Sequence, residues 1–121
     1  MIKLTFCLKR LPQLSRAEFQ RYWFENHAPL VAKHREVLRI RRYVQMHTGG
    51  DAMNEAVAAS RNAPAIFDGV AELWWDSFED IMTNDSAAAR AAGLELLEDE
   101  RKFIDLPNSP LFFGEEKTIF C

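Results

Sequence analysis

Cysteine is nearly absent from this chain, and the two it has, Cys7 and Cys121, make neither a disulfide framework nor a metal-ligand set. That usage suits a reducing cytoplasm, which is the expected location. Long hydrophobic runs are missing too, and nothing approaches the roughly 18 apolar residues that a membrane helix requires. Met1 to Phe6 alternates instead of forming a signal-peptide block, and Leu11-Pro12 closes it early. Basic charge is in short supply. A net charge of −3 argues against nucleic acid, whose phosphates call for a basic stripe. The single basic cluster, Arg39-Ile40-Arg41-Arg42, reads as a solvated strand end. There is no Gly-rich phosphate loop, dinucleotide fingerprint or nucleophile elbow, so no cofactor is expected.

What remains is the composition of an ordinary globular domain. Of 121 residues, 48% are hydrophobic and 27% charged. One domain spanning residues 1–121 can bury about two-thirds of its unfolded surface. Ile2, Leu4, Phe6 and Leu8 alternate with Lys3, Thr5, Cys7 and Lys9, which predicts a half-buried strand. Ser15-Arg16-Ala17-Glu18 is a capping box that opens a helix. Phe19, Trp23 and His27 recur at four-residue steps and share one inward face of that helix. Pro29 removes a donor and crowds the Glu25 carbonyl, predicting a kink or two abutting helices near 26–29, the second ending by Glu36.

A second strand is expected over Leu38–His47, with Leu38, Ile40, Val44 and Met46 on one side and Tyr43, Gln45 and His47 on the other. A turn at Thr48–Asp51 leads to a short Ala-rich helix over 52–60. A third strand over Ile66–Trp75 sets Ala71, Leu73 and Trp75 against Val70, Glu72 and Trp74. Ser77 and Asp85-Ser86 cap two further helices, the longer running towards Lys102 with Gly93 as its weak point. Leu111–Phe120 closes the domain as a fourth strand. The order is β-α-β-β-α-β, an α+β ferredoxin-like pattern with a four-stranded antiparallel sheet. On this alternation the sheet face away from the helices carries Thr5, Cys7, Tyr43, Gln45, His47 and one of the two Trp sets. Such a mixed face calls for a second subunit, a ligand, or both.

Several segments together are similar to the EthD domain family. They are Met1-Ile2-Lys3, Ser15-x-x-Glu18-Phe19, Tyr22-Trp23-x-x-x-His27-Ala28-Pro29-Leu30 and Arg42-Tyr43-Val44-Gln45, with Asp68 to Trp74, Asp99-Glu100-x-x-Phe103-Ile104-Asp105 and Glu115-Glu116. The resemblance spans nearly the whole chain and is weakest over 48–65. It implies a dimeric α/β barrel, in which two ferredoxin-like subunits press sheet against sheet. It also implies an association with oxidoreductase activity, through ethyl tert-butyl ether degradation, and with lyase-type decarboxylation or dehydration of aromatic polyketides.

The candidate catalytic residue is His27, because an imidazole with a pKa of about 6.5 exchanges protons near neutrality. The alternative is a core histidine whose one hydrogen bond fixes the kink. Trp23, Tyr43, Gln45, His47, Glu72 and Trp74 are the candidate substrate-binding residues. Tyr43, Gln45 and His47 would form one hydrogen-bonding wall. Glu72, a charge in an apolar strand, needs a partner such as Arg41 or Arg42. Asp99 and Glu100 read as salt-bridge formers that hold the last helix. His34 lies about 10.5 Å along the helix from His27, too far to share a metal, so no metal site is expected. The expected function is cofactor-free acid/base chemistry on a small hydrophobic or aromatic compound by a homodimer. The alternatives are an accessory ligand-binding protein for a partner oxidase and a haem-handling barrel.

Overall fold

A computed structural model describes all of residues 1–121. Strand β1 (Ile2–Leu8) leads to helix α1 (Arg16–Tyr22), a π-helical turn (Trp23–His27) and helix α2 (Ala28–Lys33). Strand β2 (Arg42–His47), helix α3 (Asp51–Ser60) and strand β3 (Gly69–Trp75) follow. Helices α4 (Phe78–Met82) and α5 (Ala87–Glu100) and strand β4 (Leu111–Gly114) complete the chain. All pairings are antiparallel and the strand order is β2-β3-β1-β4, the ferredoxin-like arrangement the motif order predicts. No helix is long and apolar enough to cross a membrane.

The caps behave as the sequence implies. Ser15 Oγ accepts from the Glu18 amide at 3.0 Å, and the Glu18 carboxylate accepts from the Ser15 amide at 2.9 Å. Ser86 Oγ caps α5 by accepting from the Ala89 amide at 3.1 Å. Two abutting helices meet near residues 26–29 as expected, and a widened turn joins them in place of a sharp kink. The Ala28 N–H bonds the Trp23 carbonyl five residues back. Pro29 has no N–H for the Glu25 carbonyl and crowds it, and widening the helix just before the proline relieves that crowding.

The core lies between the sheet and the helices. Phe6, Leu8 and Ala71 pack with Phe19, Trp23, Phe103 and Ile104, and a second cluster joins Ile2 and Trp75 to Val31 and Ile40. Trp23, Phe19, Phe103 and Leu8 are fully buried, each contributing roughly 1.5–3 kcal/mol by the usual area arithmetic. A side chain is impossible at Gly69, because a Cβ there would run into the Trp23 ring and come within 2.8 Å of the Met46 carbonyl oxygen.

The register corrects one expectation. Tyr43, Gln45 and His47 pair with Leu73, Ala71 and Gly69, which in turn pair with Leu4, Phe6 and Leu8. Directly paired residues share a face, so all three lie on the helix side and not with Thr5 and Cys7. The reason is that β2 starts only at Arg42, after Arg39 has turned the backbone into the left-handed region at φ 59°. Leu38 and Ile40 are therefore outside the strand, and their parity does not carry into it. The strands are also shorter than expected: β3 begins at Gly69 and β4 ends at Gly114.

Candidate active site

The π-helical turn directs two large side chains into the molecule. Trp23 and His27 are both buried, at 1% and 5% exposure. The His27 ring lies 5.1 Å from Phe103, and its Nδ1 is 2.8 Å from Oδ2 of Asp99 on α5. Asp99 is itself buried, accepts a 2.6 Å bond from the Tyr22 hydroxyl, and has Lys102 Nζ at 3.6 Å.

These contacts fix the proton positions. Burial, and after it the bond to Asp99, pushes the Tyr22 hydroxyl up to about 12, so it donates and stays protonated. Burial opposes charge on Asp99, but the Tyr22 and His27 hydrogen bonds outweigh it together and hold the carboxyl below its ordinary value. Burial also pulls the His27 imidazole below its ordinary value of 6.5, with Asp99 partly opposing that fall. At neutral pH the pair is thus a carboxylate and a neutral imidazole. A carboxylate only accepts, so Nδ1 carries the ring proton and Nε2 holds a free lone pair. No hydrogen-bond partner is present for Nε2, and no buried side-chain polar atom is left sealed without a partner, so Nε2 retains open space.

That space is a cavity of about 210 Å³ between sheet and helices, bordered by His27. Leu4, Phe6, Leu73, Trp75 and Leu96 form much of its apolar wall, and Tyr43 and Glu100 join His27 as its polar members. Tyr43 also borders a wider groove of about 710 Å³ outside, lined by Phe24, Gln45 and His47 among others.

A chain of side chains orients Tyr43. Gln45 Nε2 donates to the Trp23 carbonyl at 3.1 Å and to the Tyr43 hydroxyl oxygen at 2.7 Å. A backbone carbonyl only accepts, so the amide orientation is settled, and Gln45 Oε1 takes a 2.7 Å bond from His47 Nε2–H. His47 is held in turn by stacking on Trp23, with ring centroids 4.5 Å apart. The Tyr43 oxygen is occupied as an acceptor from Gln45, which leaves its O–H as a donor. Burial raises the pKa of this phenol, so it remains protonated.

The structure therefore brings together Trp23, His27, Tyr43, Gln45 and His47. It does not bring Glu72 and Trp74 to them. Those two lie on the opposite sheet face, where Lys3 pairs with Glu72 at 2.5 Å, replacing the expected Arg41 or Arg42. Trp74 sits between the Lys3 and Arg42 cations and donates to Glu116 at 2.6 Å. Its neighbour Trp75 is the one that borders the cavity. His34 meets Glu95 at 3.0 Å near the end of α2. No three His, Cys, Asp or Glu side chains converge as a metal-ligand set would.

Of the two acids expected to form salt bridges, Asp99 has Lys102 Nζ at 3.6 Å but takes its shorter bonds from Tyr22 and His27, and Glu100 has no ionic partner. Ala89, Ala92, Leu96, Asp99 and Phe103 follow three- and four-residue steps, so Asp99 falls on the buried stripe of α5. An acid in that position was the available signal.

Residues 11–107 match the EthD domain. Among solved structures, an ethyl tert-butyl ether d (EthD) family protein from Bacillus halodurans C-125 is 24% identical, with a TM-score of 0.62 over 97% of this chain and 99% of that one. A dimeric protein of unknown function and ferredoxin-like fold from Bacteroides fragilis NCTC 9343 is 9% identical, with a TM-score of 0.58 over 95% of each chain. An EthD-like protein from Ralstonia eutropha JMP134 is 19% identical, with a TM-score of 0.56 over 94% of this chain and 89% of the other. No curated protein matches the chain. At these identities the structural likeness speaks for the fold, while the domain match extends across most of the sequence; the chain belongs to the EthD domain family.

Proposed function

We propose that this protein is a cofactor-independent, EthD-type enzyme that performs acid/base chemistry on a small hydrophobic or aromatic compound. His27 is its base. The observation that supports this reading is the 2.8 Å contact from His27 Nδ1 to Asp99, which leaves Nε2 unpartnered beside an apolar cavity. A buried carboxylate that fixes the tautomer and stabilises the imidazolium once formed is what a general base needs. Tyr43 then donates to the oxygen of the bound compound, polarising it. A cavity of about 210 Å³ suits a single substituted ring, since engineered cavities of about 150 Å³ bind benzene.

Dehydration, isomerisation and cofactor-free oxidation of an aromatic or polyketide-type carbonyl compound begin with proton removal of this kind, and decarboxylation uses the same imidazole to return a proton to the carbon that loses carbon dioxide. The working unit is a homodimer in the cytoplasm. The sheet face bearing Thr5, Val44, Met46 and Trp74 faces away from the helices, with Met46 56% exposed, and a second copy would cover it.

The test is turnover of a panel of single-ring and polyketide-type ketones by wild type and His27→Ala. Loss of about 10²-fold or more in a folded variant is expected, the usual range for a deleted general base. Undiminished turnover removes His27 from the chemistry. Saturable binding with no product from wild type would favour a carrier for a partner oxidase instead.

A further inference from the structure

Glu100 is the polar group of the cavity that no role above uses. It closes α5 one residue after Asp99, and only desolvation and the Asp99 charge act on its carboxyl, with no hydrogen bond or salt bridge to satisfy it. It borders the same cavity as His27 and Tyr43, and its charge is felt by the Tyr43 phenol on the facing strand. Glu100 is half-buried against the apolar wall of this cavity, and a partly desolvated carboxyl without a partner is costly to ionise and serves best as an acid.

We propose that Glu100 is the proton donor of this site, protonating the carbonyl oxygen of a small single-ring ketone while His27 takes a proton from the adjacent carbon. The inference rests on the reading of His27 as a base. The C–H bond breaks and its proton passes to Nε2. The freed pair forms the enol double bond, and the carbonyl π pair takes the Glu100 proton to give the O–H. Tyr43 holds that oxygen throughout. While the enol is bound the imidazolium exchanges its proton with solvent, and reversal then returns one proton from His27 to the carbon and the O–H proton to Glu100. The interconversion is net neutral and needs no oxidant, reductant or second substrate.

The protonation states favour it. Burial, with the negative charge of Asp99 behind it, pushes Glu100 up to about 7, while burial keeps His27 neutral. Two groups moved apart in this sense divide acid and base roles between them. The titratable groups around Glu100 are Asp99 on its own helix, Tyr43 on β2 and His27 on the π-helical turn, and no cation pairs with it.

The experiment follows exchange of the acetophenone methyl protons for deuterium in deuterium oxide by NMR, using full-length wild type, Glu100→Gln and His27→Ala. Glutamine is nearly isosteric, and circular dichroism checks the fold. Wild type is expected to accelerate exchange and to lose rate above about pH 7 as Glu100 ionises. Glu100→Gln should be slower by roughly 10²-fold or more and lack that decline, and His27→Ala should be inactive. A Glu100→Gln protein with wild-type rate and wild-type decline, beside an inactive His27→Ala, overturns the role of Glu100 and leaves that of His27 standing. Undiminished exchange by His27→Ala overturns both. Wild-type exchange no faster than buffer overturns the enolisation proposal alone.

Discussion

An imidazole shut away from water resists gaining a proton, and His27 is useful because that resistance is only partly relieved. Burial lowers its pKa and the Asp99 carboxylate opposes the fall. Removing the carboxylate charge should therefore let the pKa drop further. In Asp99→Asn, NMR titration of the His27 ring is expected to show the neutral form persisting to lower pH than in wild type, with the acid limb of activity moving the same way. A rise in that pKa would contradict the assignment. The position of His27 could be read from its neighbours, because the steps from Phe19 to Trp23 to His27 put an ionisable group on an aromatic face. Its partner was harder to see. Asp99 is 72 residues away, and adjacent acids near a helix end resemble a solvated surface until the helix phase is worked out.

At the scale of elements, the site depends on how α5 and the π-helical turn are built. α5 carries both Asp99 and Glu100 and runs unbroken through Gly93, where an added Cβ would meet nothing within 4 Å. Gly93→Ala should raise stability by about 0.5–1 kcal/mol in urea unfolding, because it removes backbone freedom from the unfolded chain without a clash. A loss of stability would mean that the helix is not packed as described. The caps at Ser15 and Ser86 and the succession of strands and helices follow from local sequence rules, and that succession implied the antiparallel ferredoxin-like sheet. The faces of β2 were less legible. Alternation is informative only inside a strand, and the left-handed Arg39 ends the extended run that Leu38 and Ile40 seemed to begin. Trp74 and Trp75 illustrate the same sensitivity, since one step in phase exchanges a cavity wall for the opposite face. Pro29 marked the irregular turn correctly, but a proline alone does not say whether a helix bends or widens.

For the whole molecule, the ferredoxin-like order leaves one sheet face uncovered by helices, and the proposed homodimer would cover it. Light scattering on the eluting protein should give twice the chain mass of 14.0 kDa. Met46→Glu, placing a charge on the exposed strand face, should shift it towards the monomer while the fold survives. A wild-type monomer at micromolar concentration would contradict the pairing. The wider groove outside and the cavity within share Tyr43, and the Tyr43–Gln45–His47 chain forms part of the groove wall.

The central claim is that the unshared nitrogen of His27 opens onto a hollow that receives a small ring. A crystal structure of the protein with acetophenone tests it most directly. The ring is expected against Leu73 and Trp75, with the ketone oxygen within hydrogen-bond distance of the Tyr43 hydroxyl and the methyl carbon beside Nε2 of His27. An empty cavity with the ketone bound elsewhere, or Nε2 covered by a protein side chain, would contradict it.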